Sequence, residues 1–319
     1  MNNVAIVTGP VKACGIHVYA SCLYEILKQS KKYNFYLLEV SSGEELLQLT
    51  DKFEINSVFY NWHPLTLPWC IPKWIKRRPE FNQFMITGHE MYSQQESFEN
   101  IKAFLTIDPT LSQKDNYYPA VRPIKNYTDI QYSKPSEILK IGTSGFGERK
   151  KGFKRIVDIL NQQFKDESIE LNVHFSVGHF VDSSGEEARQ ALNAATQLNS
   201  NIKLNVTHDF FTDYELIKWL NSNDINIYCY DHYDGPGVSA SIDKALAARK
   251  PFAVNTSNYF KHVRKDIIDI DKTPIKAIVQ NGIEPLREFY ECWSESSLIS
   301  QYEFLLEKYT HETIIDAPR

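Results

Sequence analysis

The stretch "YCYDHYDGPGVSASIDKALAARKP", residues 228–251, begins as a strand, breaks at two glycines around a proline and continues as an alanine-rich helix. Glycine has no Cβ, so backbone N–H groups in such a turn can approach an anion closely, and the start of the following helix carries partial positive charge. A phosphate site and an ordinary strand-to-helix turn both fit this pattern. Two further loops have related chemistry. One is "GTSGFGERKKG", residues 142–152, which mixes glycines with Arg149, Lys150 and Lys151; the other is "GPVKACGIHVYA", residues 9–20. The second of these lacks the G-x-G-x-x-G spacing of a dinucleotide site, which argues against a nicotinamide enzyme. In the first, Gly147 and Gly152 imitate the start of a Walker A loop, but Phe153 follows where Lys-Ser or Lys-Thr belongs, which argues against an ATPase.

Such loops need rigid elements on both sides. Short β-branched or aromatic runs alternate with helical patterns along the chain, the signature of parallel α/β units. In the first half, residues 4–8, 35–40, 57–60, 83–87 and 104–107 read as strands and 17–29 as a helix. A polar stretch with two prolines, 122–135, reads as a linker. The alternation then restarts, with strands at 138–142, 171–177, 202–207, 225–230 and 252–255 and helices at 152–164, 186–198, 212–221 and 239–248. The expected fold class is α/β, with two Rossmann-like domains, 1–130 and 131–319, facing across a cleft. In such sheets ligands sit beyond the carboxyl ends of the strands.

Composition agrees with that size and class. The chain has 319 residues, 42% hydrophobic and 24% charged, enough to bury two cores. Its start, "MNNVAIVTGP", has no basic leader, and the apolar run at 4–7 is too short for a signal peptide, so the expectation is a cytoplasmic protein. The five cysteines, Cys14, Cys22, Cys70, Cys229 and Cys292, are scattered and form no C-x-x-C pair; they read as packing residues. A net charge of −5 argues against nucleic acid as a partner. Basic charge gathers locally instead, at 73–79 and 148–155, as sites or as solvated helix faces.

With these motifs in order, the segment "DINIYCYDHYDGPGVSASIDKALAARKPFAVNTSNYFKHV", residues 224–263, resembles the donor-site region of GT-B glycosyltransferases of the family 4 type. "GFGERKKGFKRIVDIL" resembles their lysine-glycine element, and "CGIHVYASCLYEIL" their glycine loop and first helix. The resemblance implies transfer of a sugar from a nucleotide-sugar donor to a glycan or lipid-linked glycan acceptor, with retention of the anomeric configuration and a place in surface polysaccharide synthesis. It implies no cofactor, the nucleotide-sugar being a co-substrate. Lys151 matches the phosphate-binding lysine. Gly235, Gly237, Val238 and Ser239 would offer backbone N–H groups to the diphosphate, Gly15 and Ile16 would approach it from the first domain, and His89 would meet the sugar. The terminal stretch 297–309, with Leu298, Tyr302, Leu305 and Leu306 on one helical face, would pack back on the first domain.

The chain also departs from the family pattern. The usual acidic pair has seven residues between two glutamates; here the candidates are Asp234 and Asp243, with eight between and shorter side chains. Gly145 and Phe146 stand where an arginine is usual, and only Arg149 could substitute. These departures keep a non-catalytic binding or scaffold relative open as the alternative. Asp269-Ile270-Asp271 spells a D-x-D, read as chance, and no metal is expected. Residues 61–81 combine three tryptophans with Lys73, Lys76, Arg77 and Arg78. They are compatible with peripheral contact on an anionic membrane or with a helix whose aromatics sit in the core.

Overall fold

The alternating runs build two separate parallel sheets in the computed structural model, which describes residues 2–88, 98–177, 184–235 and 237–315. The chain divides into two compact units, Met1–Lys125 with Cys292–Arg319, and Asn126–Glu291.

In the first unit the strands are β1 (Asn2–Thr8), β2 (Tyr33–Glu39), β3 (Ile55–Trp62), β4 (Asn82–Thr87), β5 (Ile101–Thr106) and β6 (Tyr117–Pro119). They pair in the order β2-β1-β3-β4-β5-β6, all parallel. Strands buried on both faces need continuous apolar sequence, and Val4 to Val7 are fully buried. Helices α1 (Gly15–Leu27), α2 (Gly43–Lys52) and α3 (Pro72–Lys76) belong to this unit. On one face Leu23, Ile26, Phe59 and Phe84 share a core with Leu298, Tyr302, Leu305 and Leu306 of the last helix, α10 (Glu295–Ile315). Phe59 stacks on Phe84 at 4.4 Å and meets Tyr302 at 4.8 Å between ring centroids. Arg122, at the start of the polar stretch, is fully buried in this unit and donates to the Ile107 carbonyl.

The second unit carries β7 (Leu139–Gly145), β8 (Ile169–Phe175), β9 (Ile202–Thr207), β10 (Ile225–Tyr228) and β11 (Phe252–Val254), in the order β11-β10-β7-β8-β9 and again all parallel. Its helices are α4 (Phe153–Gln163), α5 (Glu186–Ala195), α6 (Asp213–Asn221), α7 (Ser241–Ala247) and α8 (Ile275–Asn281); α9 (Arg287–Cys292) lies at its end. One row of the sheet is polar. Asn226, Gly142, Asn172 and Asn205 lie side by side in register. The glycine leaves room for the buried Asn223, whose amide bonds to Asn226 at 3.1 Å and receives Asn172 at 2.8 Å, while Asn205 bonds to Asn172 at 2.9 Å. A Cβ on Gly142 would lie 2.2 Å from the Asn223 amide nitrogen. Asn223 and Asn226, both fully buried, are thus satisfied by hydrogen bonds, as buried amides must be.

Candidate functional site

The loop after β7 turns through a 3-10 segment, Arg149–Lys151, and ends on Gly152, whose φ of 65° is left-handed. That residue caps α4 and must be glycine for a second reason: a Cβ there would fall 1.7 Å from the Cys229 carbonyl oxygen. Asp231 N–H donates to the Lys150 carbonyl at 2.8 Å, so the turn is laid against the end of β10 at two points.

The cations of this turn are not equivalent. Lys150 pairs with Glu148 at 2.7 Å, which holds its pKa above the ordinary lysine value; Lys154 pairs with Asp158 at 2.9 Å, and Arg155 with Asp271. Among the described residues no carboxylate pairs with Lys151 or with the exposed Arg149. Lys151 instead lies over the ring of Tyr230, its Nζ 4.0 Å from the centroid. Its stem also runs alongside Gly145, where a Cβ would sit 3.8 Å from Cδ. Phe146 is half-buried on the same loop.

Tyr230 is 2% exposed, and its hydroxyl lies 2.9 Å from Ser241 Oγ and accepts from Ser239 Oγ at 3.4 Å. Burial alone would raise the phenol pKa, but the Lys151 cation and these two hydroxyls outweigh it and hold the pKa below the ordinary tyrosine value. The lysine turn and the glycine turn thus meet on one side chain. In the glycine turn, Gly237 has φ 98°, a left-handed region closed to most side chains. The N–H groups of Gly235, Gly237 and Val238 have no partner among the described residues. Ser239 differs from the sequence expectation: its N–H donates to the Tyr259 carbonyl at 2.9 Å, so its hydroxyl is the group it has to offer, and that already accepts from Ser241 N–H at 3.3 Å.

The acidic candidates sit in unlike surroundings. Asp243 is buried in the first turn of α7, whereas Asp234 is exposed and bonds to the exposed His232 at 2.8 Å. In the first unit, Gly15 opens α1 with no side-chain cap, a Cβ on it would meet nothing within 4 Å, and the Ile16 carbonyl accepts from Asn61 at 2.6 Å. His89 lies outside the described residues. Tyr230 was not singled out from sequence, although it stands in the stretch quoted first. An aromatic at a strand end, followed by a glycine turn and two serines one residue apart, is the pattern that points to it.

The remaining motifs resolve locally. In the D-x-D, Asp269 accepts the Asp271 N–H and Asp271 is held by Arg155. Among the described residues no three His, Cys, Asp or Glu side chains group as metal ligands. Trp62 is buried and donates to the Cys70 carbonyl at 2.9 Å, while Trp69 and Trp74 meet edge to face at 4.9 Å beside the same core. Leu65, 67% exposed, and Ile71, 48% exposed, face solvent on that stretch, with Lys73, Lys76 and Arg77 also exposed. No helix among the described residues is long and apolar enough to cross a membrane.

No family model and no curated protein matches the sequence. Solved structures do match the fold. HepE from Anabaena, in complex with UDP and glucose, is 10% identical with a TM-score of 0.63, over 97% of this chain and all of that one. An alpha-glucosyltransferase in complex with UDP-glucose and DNA containing an abasic site is 10% identical with a TM-score of 0.54, over 95% and 94% of the two chains. The apo lipopolysaccharide outer core galactosyltransferase WaaB is 10% identical with a TM-score of 0.54, over 96% and 99%. The chain has the GT-B fold of these glycosyltransferases.

Proposed function

We propose that the chain is a glycosyltransferase that moves a sugar from a nucleotide-sugar donor to a glycan or glycolipid acceptor. The observation that carries this reading is the meeting of Lys151 with the glycine turn on Tyr230, at the ends of the neighbouring strands β7 and β10. When the anomeric C–O bond breaks, negative charge gathers on the departing diphosphate. A cation with no carboxylate partner and N–H groups left open nearby are suited to that charge as it develops. The GT-B fold supports the reading, and two of the neighbouring proteins, HepE and the alpha-glucosyltransferase, are solved in complex with UDP or UDP-glucose.

Within this proposal Lys151 holds the diphosphate, Arg149 stands where it can add a second cation, and the N–H groups of Gly235, Gly237 and Val238 complete the cradle. Asp243, Asp234 and His89 keep the sugar and ribose roles that the family resemblance implies. No cofactor or metal enters this scheme. Of the neighbours, one is solved in complex with DNA and another is a lipopolysaccharide outer core galactosyltransferase. A net charge of −5 favours a glycan over a polyanion as acceptor here, and with it surface polysaccharide synthesis. Exposed Leu65 and Ile71 beside three cations suit contact with an anionic membrane carrying a lipid-linked acceptor.

The test is donor hydrolysis by the full chain across UDP-, GDP- and dTDP-sugars. Release of one nucleoside diphosphate above the rate in buffer supports the enzyme. Binding of a nucleoside diphosphate with no turnover, with or without glycan acceptors, points instead to a non-catalytic relative that scaffolds a partner.

A further inference from the structure

Tyr230 is the best-anchored side chain near the proposed donor cradle, and it belongs to neither of the turns it touches. It follows β10 by two residues. Its carbonyl accepts from Asn255 Nδ2 at 2.7 Å, its ring is flanked by Phe260 at 4.8 Å and by Tyr259 at 5.7 Å, and its hydroxyl reaches Ser239 and Ser241. Packing on the ring and hydrogen bonds at the hydroxyl and the carbonyl hold the residue at three points. The Lys151 side chain, by contrast, is half-buried and has no carboxylate to fix it among the described residues. A flexible four-carbon stem with an unpaired ammonium loses rotamer freedom only if something in the site holds it.

We infer that Tyr230 is a positioning residue: its ring face holds the Lys151 ammonium, and its hydroxyl ties that ammonium to the glycine turn, so that cation and N–H groups reach a nucleoside diphosphate as one preassembled unit. A cation over a buried aromatic face is attracted by the ring quadrupole. The pair Lys151 and Tyr230, together with Ser239, therefore acts as one network rather than three separate contacts. Networks of this kind show strong non-additivity when their members are removed singly and together. The inference rests on the reading of Lys151 as a donor-phosphate ligand and adds what orients it.

The experiment is isothermal calorimetry on the full chain with UDP, GDP, ADP and dTDP. The tightest binder serves as probe for wild type, Lys151→Ala, Tyr230→Phe, Tyr230→Leu and the double variant Lys151→Ala/Tyr230→Leu, with melting temperature recorded for each. Tyr230→Phe keeps the ring and removes the hydroxyl; about a 3-fold loss of affinity is expected, as for one neutral hydrogen bond. Tyr230→Leu is expected to lose roughly 10-fold, with the cation–π contact gone as well. The double variant is expected to bind no more weakly than Lys151→Ala alone. In the hydrolysis assay, both tyrosine variants should lower kcat more than they raise the donor KM, the same split as Lys151→Ala but smaller in size.

If losses at Lys151 and Tyr230 simply add, or if Tyr230→Phe and Tyr230→Leu both bind like wild type while Lys151→Ala does not, Tyr230 is a core residue and the inference fails with the donor site intact. Should Lys151→Ala itself bind like wild type, or none of the four diphosphates bind, the donor site is misplaced and both readings fall. A Tyr230→Leu chain that does not fold leaves Tyr230→Phe to decide: unchanged affinity in that variant contradicts the inference.

Discussion

A Cβ on Gly152 would lie 1.7 Å from the carbonyl oxygen of Cys229. The turn that carries Lys151 therefore rests on the backbone of the neighbouring strand end, not on side chains that could yield. Gly152→Ala has to push two backbone segments apart and must also hold alanine at φ 65°. The expected cost is about 2–4 kcal/mol of stability, with nucleoside diphosphate binding weakened in whatever fraction folds. Denaturant unfolding followed by calorimetry checks this; unchanged stability would mean that the turn is not seated as described.

His174 is fully buried, its ring stacked on Phe211 at 4.0 Å and its Nδ1 2.9 Å from Thr207 Oγ1. Burial pulls its pKa down from 6.5 to about 4. The folded protein thus holds a neutral ring where the unfolded chain takes up a proton. Between those values the unfolded state binds more protons, so stability is greatest above pH 6.5 and falls as pH drops toward 4. About 2 kcal/mol should be lost between pH 7 and 5 from this residue. In urea titrations, His174→Gln should be less stable at pH 7 yet show a flatter pH dependence; an equal slope for both proteins would remove His174 as the cause.

Leu305 is fully buried in the core that α10 shares with α1, β3 and β4. Leu305→Ala should cost roughly 2–5 kcal/mol. The substitution lies in the first unit and far in sequence from the lysine turn, so nucleoside diphosphate affinity in folded protein should not change. Urea titration and calorimetry separate the two effects.

The strand pattern of both sheets was readable because parallel strands are continuous apolar runs and helices recur at a different period. The short β6 and the amphipathic α2, with its Ser42 cap, escaped notice because their apolar residues are few. The row of Asn226, Asn172 and Asn205 reads in sequence as polar interruption, since its satisfaction depends on Gly142 and Asn223 from elsewhere. The same limit applied at the candidate site. That Arg155 of 148–155 is paired depends on Asp271, which is 116 residues away. The role of Tyr230 depends on a lysine 79 positions earlier (230 − 151). The Ser239 N–H looked available only because its acceptor, Tyr259, lies beyond the next helix.

Leu65 and Ile71 are exposed beside a basic stretch in an otherwise acidic chain. If that surface meets a membrane, the full chain should float with vesicles of phosphatidylglycerol and phosphatidylcholine at low salt. Leu65→Ser/Ile71→Ser should reduce the floated fraction several-fold with no change in melting temperature, because neither side chain is buried. Equal flotation of the variant, or none by wild type, removes the membrane contact from the account.

Donor-hydrolysis turnover in Lys151→Ala beside Lys150→Ala and Lys154→Ala decides whether Lys151 stabilises the departing diphosphate. Lys150 and Lys154 are held by Glu148 and Asp158, whereas Lys151 stands over Tyr230 with no carboxylate partner among the described residues. Lys151→Ala should lower kcat on the order of 10²-fold or more at an unchanged melting temperature, with the other two within a few-fold of wild type. Wild-type turnover in Lys151→Ala, or equal losses in all three variants, would make the cluster a solvated helix face with no part in leaving-group stabilisation.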